Sequence, residues 1–134
     1  MNILLINYEY PPIGGGAATA TYHLARALAR SGNDITVLTA GYGRLTGIRI
    51  EDGVQVVRCP SLRRRIYQTR LHEMAHFVIS AAGRLPGLLG RRSIDAAIVF
   101  FALPCGPLGI LGRLLREIPY IVSLRGADVP GNEP

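Results

Sequence analysis

The chain has 134 residues, enough for one domain and too few for two ordinary ones. Its apolar share of 49% can fill a core, and its two cysteines, Cys59 and Cys105, form no CxxC pattern, which excludes a disulfide framework or a zinc ribbon and fits a reducing compartment. All 15 basic residues are arginine and the net charge is +6, so an acidic partner such as a phosphate, an anionic lipid or a nucleic acid is favoured.

"NILLIN" opens the chain as a short apolar run, the pattern of a strand buried on both faces. The start "MNILLINYEY" has neither the basic region nor the cleavage site of a secretory signal. After a Pro- and Gly-rich loop, "AATATYHLARALARSGN" repeats Leu24, Ala25, Leu28 and Ala29 at helical spacing, with Gly32 at the position of a C-terminal cap. "DITVLTA" is expected to be a β-branched, alternating strand. Asp52-Gly53 between two β-like runs predicts a hairpin. From Arg65 to Leu85, Ile66, Leu71, Met74, Phe77, Val78, Ala81 and Leu85 predict a long amphipathic helix that runs out in "RLPGLLGRR". "IDAAIVFF" reads as a strand, "LGILGRLLREI" as a helix and "PYIVSL" as a last strand, before the turn-rich "RGADVPGNEP". The uncharged stretch from Ala96 to Gly112 holds Pro104 and Pro107 and is short for a membrane span. Alternating strands and helices with apolar strands predict an α/β fold, a Rossmann-like parallel sheet flanked by helices.

Two loops are candidate sites. In open α/β sheets ligands bind at the carboxyl ends of the strands. There Gly14, Gly15 and Gly16 could let a phosphate or sugar approach the N-terminus of the first helix, with Thr19 or Thr21 adding a hydroxyl. The plainer reading is a loop whose glycines supply unusual backbone angles. The run lacks the Gly-Lys-Ser/Thr of a P-loop. It also departs from the dinucleotide fingerprint, having Thr19 where the third glycine belongs and no acid closing the second strand, which argues against a nicotinamide cofactor. The second loop is "SLRGADVPG", where Arg125 could grip a phosphate or carboxylate and Asp128 could orient it or hold a sugar hydroxyl.

The span "MNILLINYEYPPIGGGAATATYHLARALARSGNDITVLTA" resembles the amino-terminal opening of the family-4 (group 1) retaining glycosyltransferases, with Asn33 at the usual histidine position. "IPYIVSLRGADV" resembles their "IPxVVTxHGxD" segment. The resemblance implies the amino-terminal, acceptor-side half of a GT-B architecture, two Rossmann-like domains facing across a cleft. It implies a nucleotide-sugar donor, a sugar or lipid-linked acceptor, and no metal or other cofactor. It places Gly15 and Gly16 near the donor phosphates and the acceptor, at the cleft floor. Arg125 corresponds to the histidine of the family's HG motif, and since arginine is no acid or base at neutral pH, its expected role is binding or electrostatic stabilisation. Gly126 and Asp128 match the glycine and acid of that segment. The Glu–seven residues–Glu motif of the second domain is absent, so the expectation is a single truncated domain over residues 1–134, inactive alone, cytoplasmic and prone to self-association. The alternative is a non-catalytic Rossmann-like module for a nucleotide or phosphorylated metabolite.

"HEMAH" fits H-E-x-x-H literally, with His72, Glu73 and His76. No third ligand is evident, and a polar helix face is the favoured reading. Arg63, Arg64 and Arg65 before the amphipathic helix could dock on anionic lipid at the inner membrane face, against the simpler reading of a solvated loop. Nucleic-acid binding is not expected, because the arginines are dispersed and aromatics do not interleave with them.

Overall fold

The computed structural model describes residues 1–65 and 70–125. Nine elements follow in order: β1 (Asn2–Ile6), α1 (Gly16–Arg30), β2 (Asp34–Ala40), β3 (Gly47–Glu51), β4 (Val54–Cys59), α2 (Leu71–Arg91), β5 (Ala96–Phe100), α3 (Gly106–Arg116) and β6 (Tyr120–Ser123). They build one sheet in the order β3-β4-β2-β1-β5-β6, parallel except for the β3–β4 hairpin at its edge. The hairpin turns at Asp52 and Gly53, both at positive φ, as the Asp-Gly pair predicts.

Strand alternation divides the core into two layers. Ile3, Leu5, Ile35, Val37, Val54 and Val56 meet α1 on one face. Leu4, Ile6, Leu38, Val57, Ala97 and Val99 meet α2 and α3 on the other. β2 is therefore buried on both faces from Ile35 to Ala40, and the alternation expected of it gives way to its central position between β1 and β4. In α3, a Cβ on Gly109 would lie 2.8 Å from the Tyr120 ring and 3.0 Å from Val99, so this glycine lets the helix sit close on β5 and β6.

α2 departs from expectation at both ends. It begins at Leu71, which is 83% exposed and not on the apolar face, while Ile66 lies outside the described residues. It then continues through Pro86 to Arg91. Phe77, Ala81, Leu85 and Leu89 recur every four residues along its buried face, and this packing outweighs the one backbone hydrogen bond that an exposed proline removes.

Candidate functional site at the carboxyl edge of the sheet

β1, β2, β4, β5 and β6 run parallel, so the loops that follow them open on one edge. The loop after β1 is held from beneath. Asn7 is buried; its Oδ1 accepts the Glu9 N–H at 3.0 Å, and its Nδ2 donates to Thr21 Oγ1 at 2.7 Å. The Thr21 hydroxyl in turn donates to the Ala17 carbonyl at 2.8 Å. Thr21 is thus spent on joining β1 to α1 and offers no hydroxyl to a ligand, contrary to one of the expectations. Thr19 stays exposed, with its hydroxyl 3.3 Å from the Gly15 carbonyl. It stands at an open groove of about 330 Å³ whose walls include Pro11, Pro12, Gly14 and Gly15.

The three glycines do different work. Gly14 has φ +92°, and a Cβ there would lie 2.6 Å from the Glu9 Cβ and 2.7 Å from its carboxylate. The loop's own geometry requires this glycine. Gly15 and Gly16 face open space, with nothing within 4 Å of an added Cβ. α1 starts there with no side-chain cap and no acidic residue in its first turn. Its leading N–H groups and the positive end of its dipole therefore face the groove unshielded, the arrangement that receives anions.

Two buried arginines from the β4 limb fix this loop. Arg58, 2% exposed, donates to the Pro11 carbonyl at 2.6 Å and to the Ala40 carbonyl at 3.2 Å, and lies over the Tyr10 ring. Burial lowers its pKa. Burial likewise pushes the Tyr10 phenol up to about 12, so it stays neutral. Arg63 is buried beside Glu9, with 3.8 Å between guanidinium and carboxylate, and its Nε donates to the Arg65 carbonyl at 2.8 Å. Only Arg64 and Arg65 of the basic triplet are exposed, so the expected solvated cluster of Arg63, Arg64 and Arg65 does not form: Arg63 turns inward to neutralise Glu9 beneath the glycines.

The loop after β5 closes the other side. Phe101 takes φ +73°, a strained value for a residue with a side chain, and packs its ring 5.2 Å from Tyr8. Beyond β6, Arg125 donates from Nε to the Ser123 hydroxyl at 3.0 Å and lies over Phe100, which belongs to the α1-side core. Gly14, Gly15, Gly16, Thr19 and Arg125 thus share one edge of the sheet. Gly126 and Asp128 lie outside the described residues.

The "HEMAH" segment has a structural explanation. Glu73, 3% exposed, accepts the Arg70 amide at 2.8 Å and the Arg64 amide at 3.3 Å, closing the N-terminus of α2. The Arg70 amide is the main cause that holds its carboxyl below the usual range. The described residues contain no group of three or more metal-ligating side chains placed to share an ion. Asn7, Glu9 and Arg58 escape motif reading altogether. The available signal was an arginine inside the apolar run "VQVVRC", which must find buried partners.

A sequence profile of the glycosyl transferase 4-like domain matches residues 15–134. The chain belongs to that family. This glycosyl transferase 4-like chain is also 29% identical, over 96% of its length, to an uncharacterized glycosyltransferase of Methanocaldococcus jannaschii. It spans about a third of that relative, 32% of its length. In fold it is similar to sucrose-phosphate synthase from Thermosynechococcus elongatus, with a TM-score of 0.66, 14% identity, and coverage of 92% of this chain and 32% of the synthase. It is similar as well to the C-terminal domain of a Pyrococcus furiosus hydrogenase, with a TM-score of 0.57, 19% identity, and coverage of 92% of this chain and 90% of that domain. At these identities the likeness is one of fold: a Rossmann-like α/β sheet of the kind that GT-B glycosyltransferases carry, on which sites of other kinds also occur. Among the described residues, no helix is long and apolar enough to cross a membrane.

Proposed function

We propose that the chain is the acceptor-side domain of a retaining group 1 glycosyltransferase that moves a sugar from a nucleotide-sugar donor to a sugar or lipid-linked acceptor. The observation that carries this reading is the bare N-terminus of α1 beside Gly15 and Gly16, in a chain of the glycosyl transferase 4-like family. As the bond from sugar to diphosphate breaks, negative charge grows on the leaving diphosphate. Fixed N–H groups and a permanently charged guanidinium favour that state over the ground state. Gly15, Gly16 and Thr19 contact the phosphates from one side, and Arg125 acts electrostatically from the β6 side, with Gly126 and Asp128 completing its loop. The diphosphate grip opposite them is supplied by sequence outside residues 1–134, so this chain alone is inactive. The reaction runs in the cytoplasm, with peripheral contact at the inner membrane face and no metal. Exposed Ile110, Leu114, Ile121 and Leu124 make the isolated chain self-associate, which light scattering would read as a species larger than a monomer.

The test is release of nucleoside diphosphate from UDP-, GDP- and ADP-glucose by the full-length protein, with and without Arg125→Ala. Release that falls by about a hundredfold in the variant is expected for a lost transition-state contact. Release unchanged by the substitution removes Arg125 from the site, and turnover by residues 1–134 alone overturns the division of labour.

A further inference from the structure

A second basic region lies across the sheet from the glycine loop. The register pairs Ile48 with Val57 and Ile50 with Gln55, and Val57 belongs to the core on the α2 side. The hairpin therefore turns these four side chains toward α2. Between hairpin and helix runs a half-open groove of about 260 Å³, floored by Ile48, Val57 and Leu88 and rimmed by Arg84, Arg91 and Arg92. Ile48 is 51% exposed although it stands beside the core. Gly83 and Gly87 also border the groove, and a Cβ on either would meet nothing within 4 Å, so the mouth is open.

The arginines of this rim differ from Arg58 and Arg63. Among the described residues, the ion pairs are Arg26–Asp52 and Arg63–Glu9, and Arg84, Arg91 and Arg92 enter neither these nor any side-chain hydrogen bond. The C-terminal dipole of α2 accounts for Arg91 in the last turn. It reaches Arg92 at the C-cap as well, but it does not account for Arg84, which sits about two turns earlier. Arg84, Arg91 and Arg92 border one apolar floor, and among the described residues they have no anionic partner. They offer paired N–H donors that match a phosphate, while Ile48, Val57 and Leu88 offer the surface that an alkyl chain or ring needs.

We propose that this groove binds a phosphate ester with an apolar body, its phosphate held by Arg84, Arg91 and Arg92 and its apolar part laid on Ile48, Val57 and Leu88. The site stands apart from the carboxyl edge, because it lies along the C-terminal half of α2, which leads into the start of β5 at the opposite edge of the sheet, and it holds whether or not the chain serves sugar transfer.

The test is titration of the full chain with dodecyl phosphate below its micellar concentration, followed by the amide resonances of Gly83 and Gly87. Saturable shifts confined to the groove are expected. Affinity should fall at least about tenfold in the Arg84→Gln/Arg91→Gln variant, as for the loss of charge-assisted hydrogen bonds. Inorganic phosphate should bind at least about tenfold more weakly than dodecyl phosphate for want of the apolar contact. Ile48→Ser should weaken dodecyl phosphate but leave inorganic phosphate unchanged. Amide spectra of both variants outside the groove report that they remain folded. Equal affinity in the double variant, equal binding of dodecyltrimethylammonium, or shifts scattered over the surface would overturn the proposal. Sedimentation with phosphatidylglycerol and phosphatidylcholine vesicles separates two sources of the same chemistry. Arginine-dependent capture by the anionic vesicles assigns the ester to a bilayer, and dodecyl phosphate binding without capture assigns it to a free metabolite.

Discussion

The two longest helices among the described residues begin in opposite ways. α2 is closed by Glu73, whose buried carboxylate takes the Arg70 and Arg64 amides. α1 begins with glycine, has no side-chain cap and no acid in its first turn, and opens on a groove. A helix that only covers a sheet gains by satisfying its leading N–H groups from within the chain. Leaving them bare forgoes about 1 kcal/mol, and the rest of the structure goes to some length to keep them in place. Arg58 pins Pro11, Asn7 ties Glu9 to α1, and Arg63 neutralises the carboxylate packed against Gly14. The contrast is between a terminus closed from within the chain and one left uncapped beside an open groove.

Removing the pin should blur that contrast most. Arg58→Met leaves the Pro11 and Ala40 carbonyls without their donor, and a loss of about 3 kcal/mol in urea unfolding is expected. Amide exchange of residues 13–18 should quicken, while that of β1 and β2 tracks the global loss alone. Next comes Gly14→Ala. The positive φ and the contact with Glu9 together should cost about 2 kcal/mol, whereas Gly16→Ala, which enters the first turn with its Cβ in open space, should stay within about 0.5 kcal/mol. Equal costs at the two positions would erase the distinction between a glycine the loop needs and one it does not.

Opening α2 sharpens the comparison from the other side. Glu73→Ala should cost about 1 kcal/mol at neutral pH. The Glu73 carboxyl is depressed below its ordinary value of 4.5, chiefly by the Arg70 amide. Its contribution is therefore complete above about pH 4.5 and fades as pH falls through the lower folded value. Thermal melts from pH 7 to pH 3 should show a shallower acid decline for the variant than for the parent chain.

Much of this architecture was legible in residue order. Apolar runs, the Asp52-Gly53 turn and the glycine loop locate strands, hairpin and candidate edge, because each follows from local periodicity or turn chemistry. Where the reading failed, distant contacts decide. Pro86 looked like a stop, but Leu85 and Leu89 carry α2 across it by packing on the sheet. "RRR" looked like one solvated cluster, yet Arg63 is drawn in by Glu9, a residue far off in sequence. Gly14, Gly15 and Gly16 looked alike, and only the position of the Glu9 side chain tells them apart. The "HEMAH" pattern shows the converse: its glutamate is explained by a cap three residues back, which a motif match ignores.

The central proposal is that the α1 N-terminus receives a ligand's phosphate, and Gly16→Asp tests it most directly. An added Cβ at Gly16 meets open space, and an acid in the first turn complements the helix dipole. The account predicts a chain at least as stable as the parent, by about 0.5 kcal/mol, while nucleoside diphosphate release by the full-length protein falls by at least about a hundredfold because a carboxylate now stands where the phosphate must approach. Stability gained with release unchanged would contradict it and would leave the glycines as loop geometry alone.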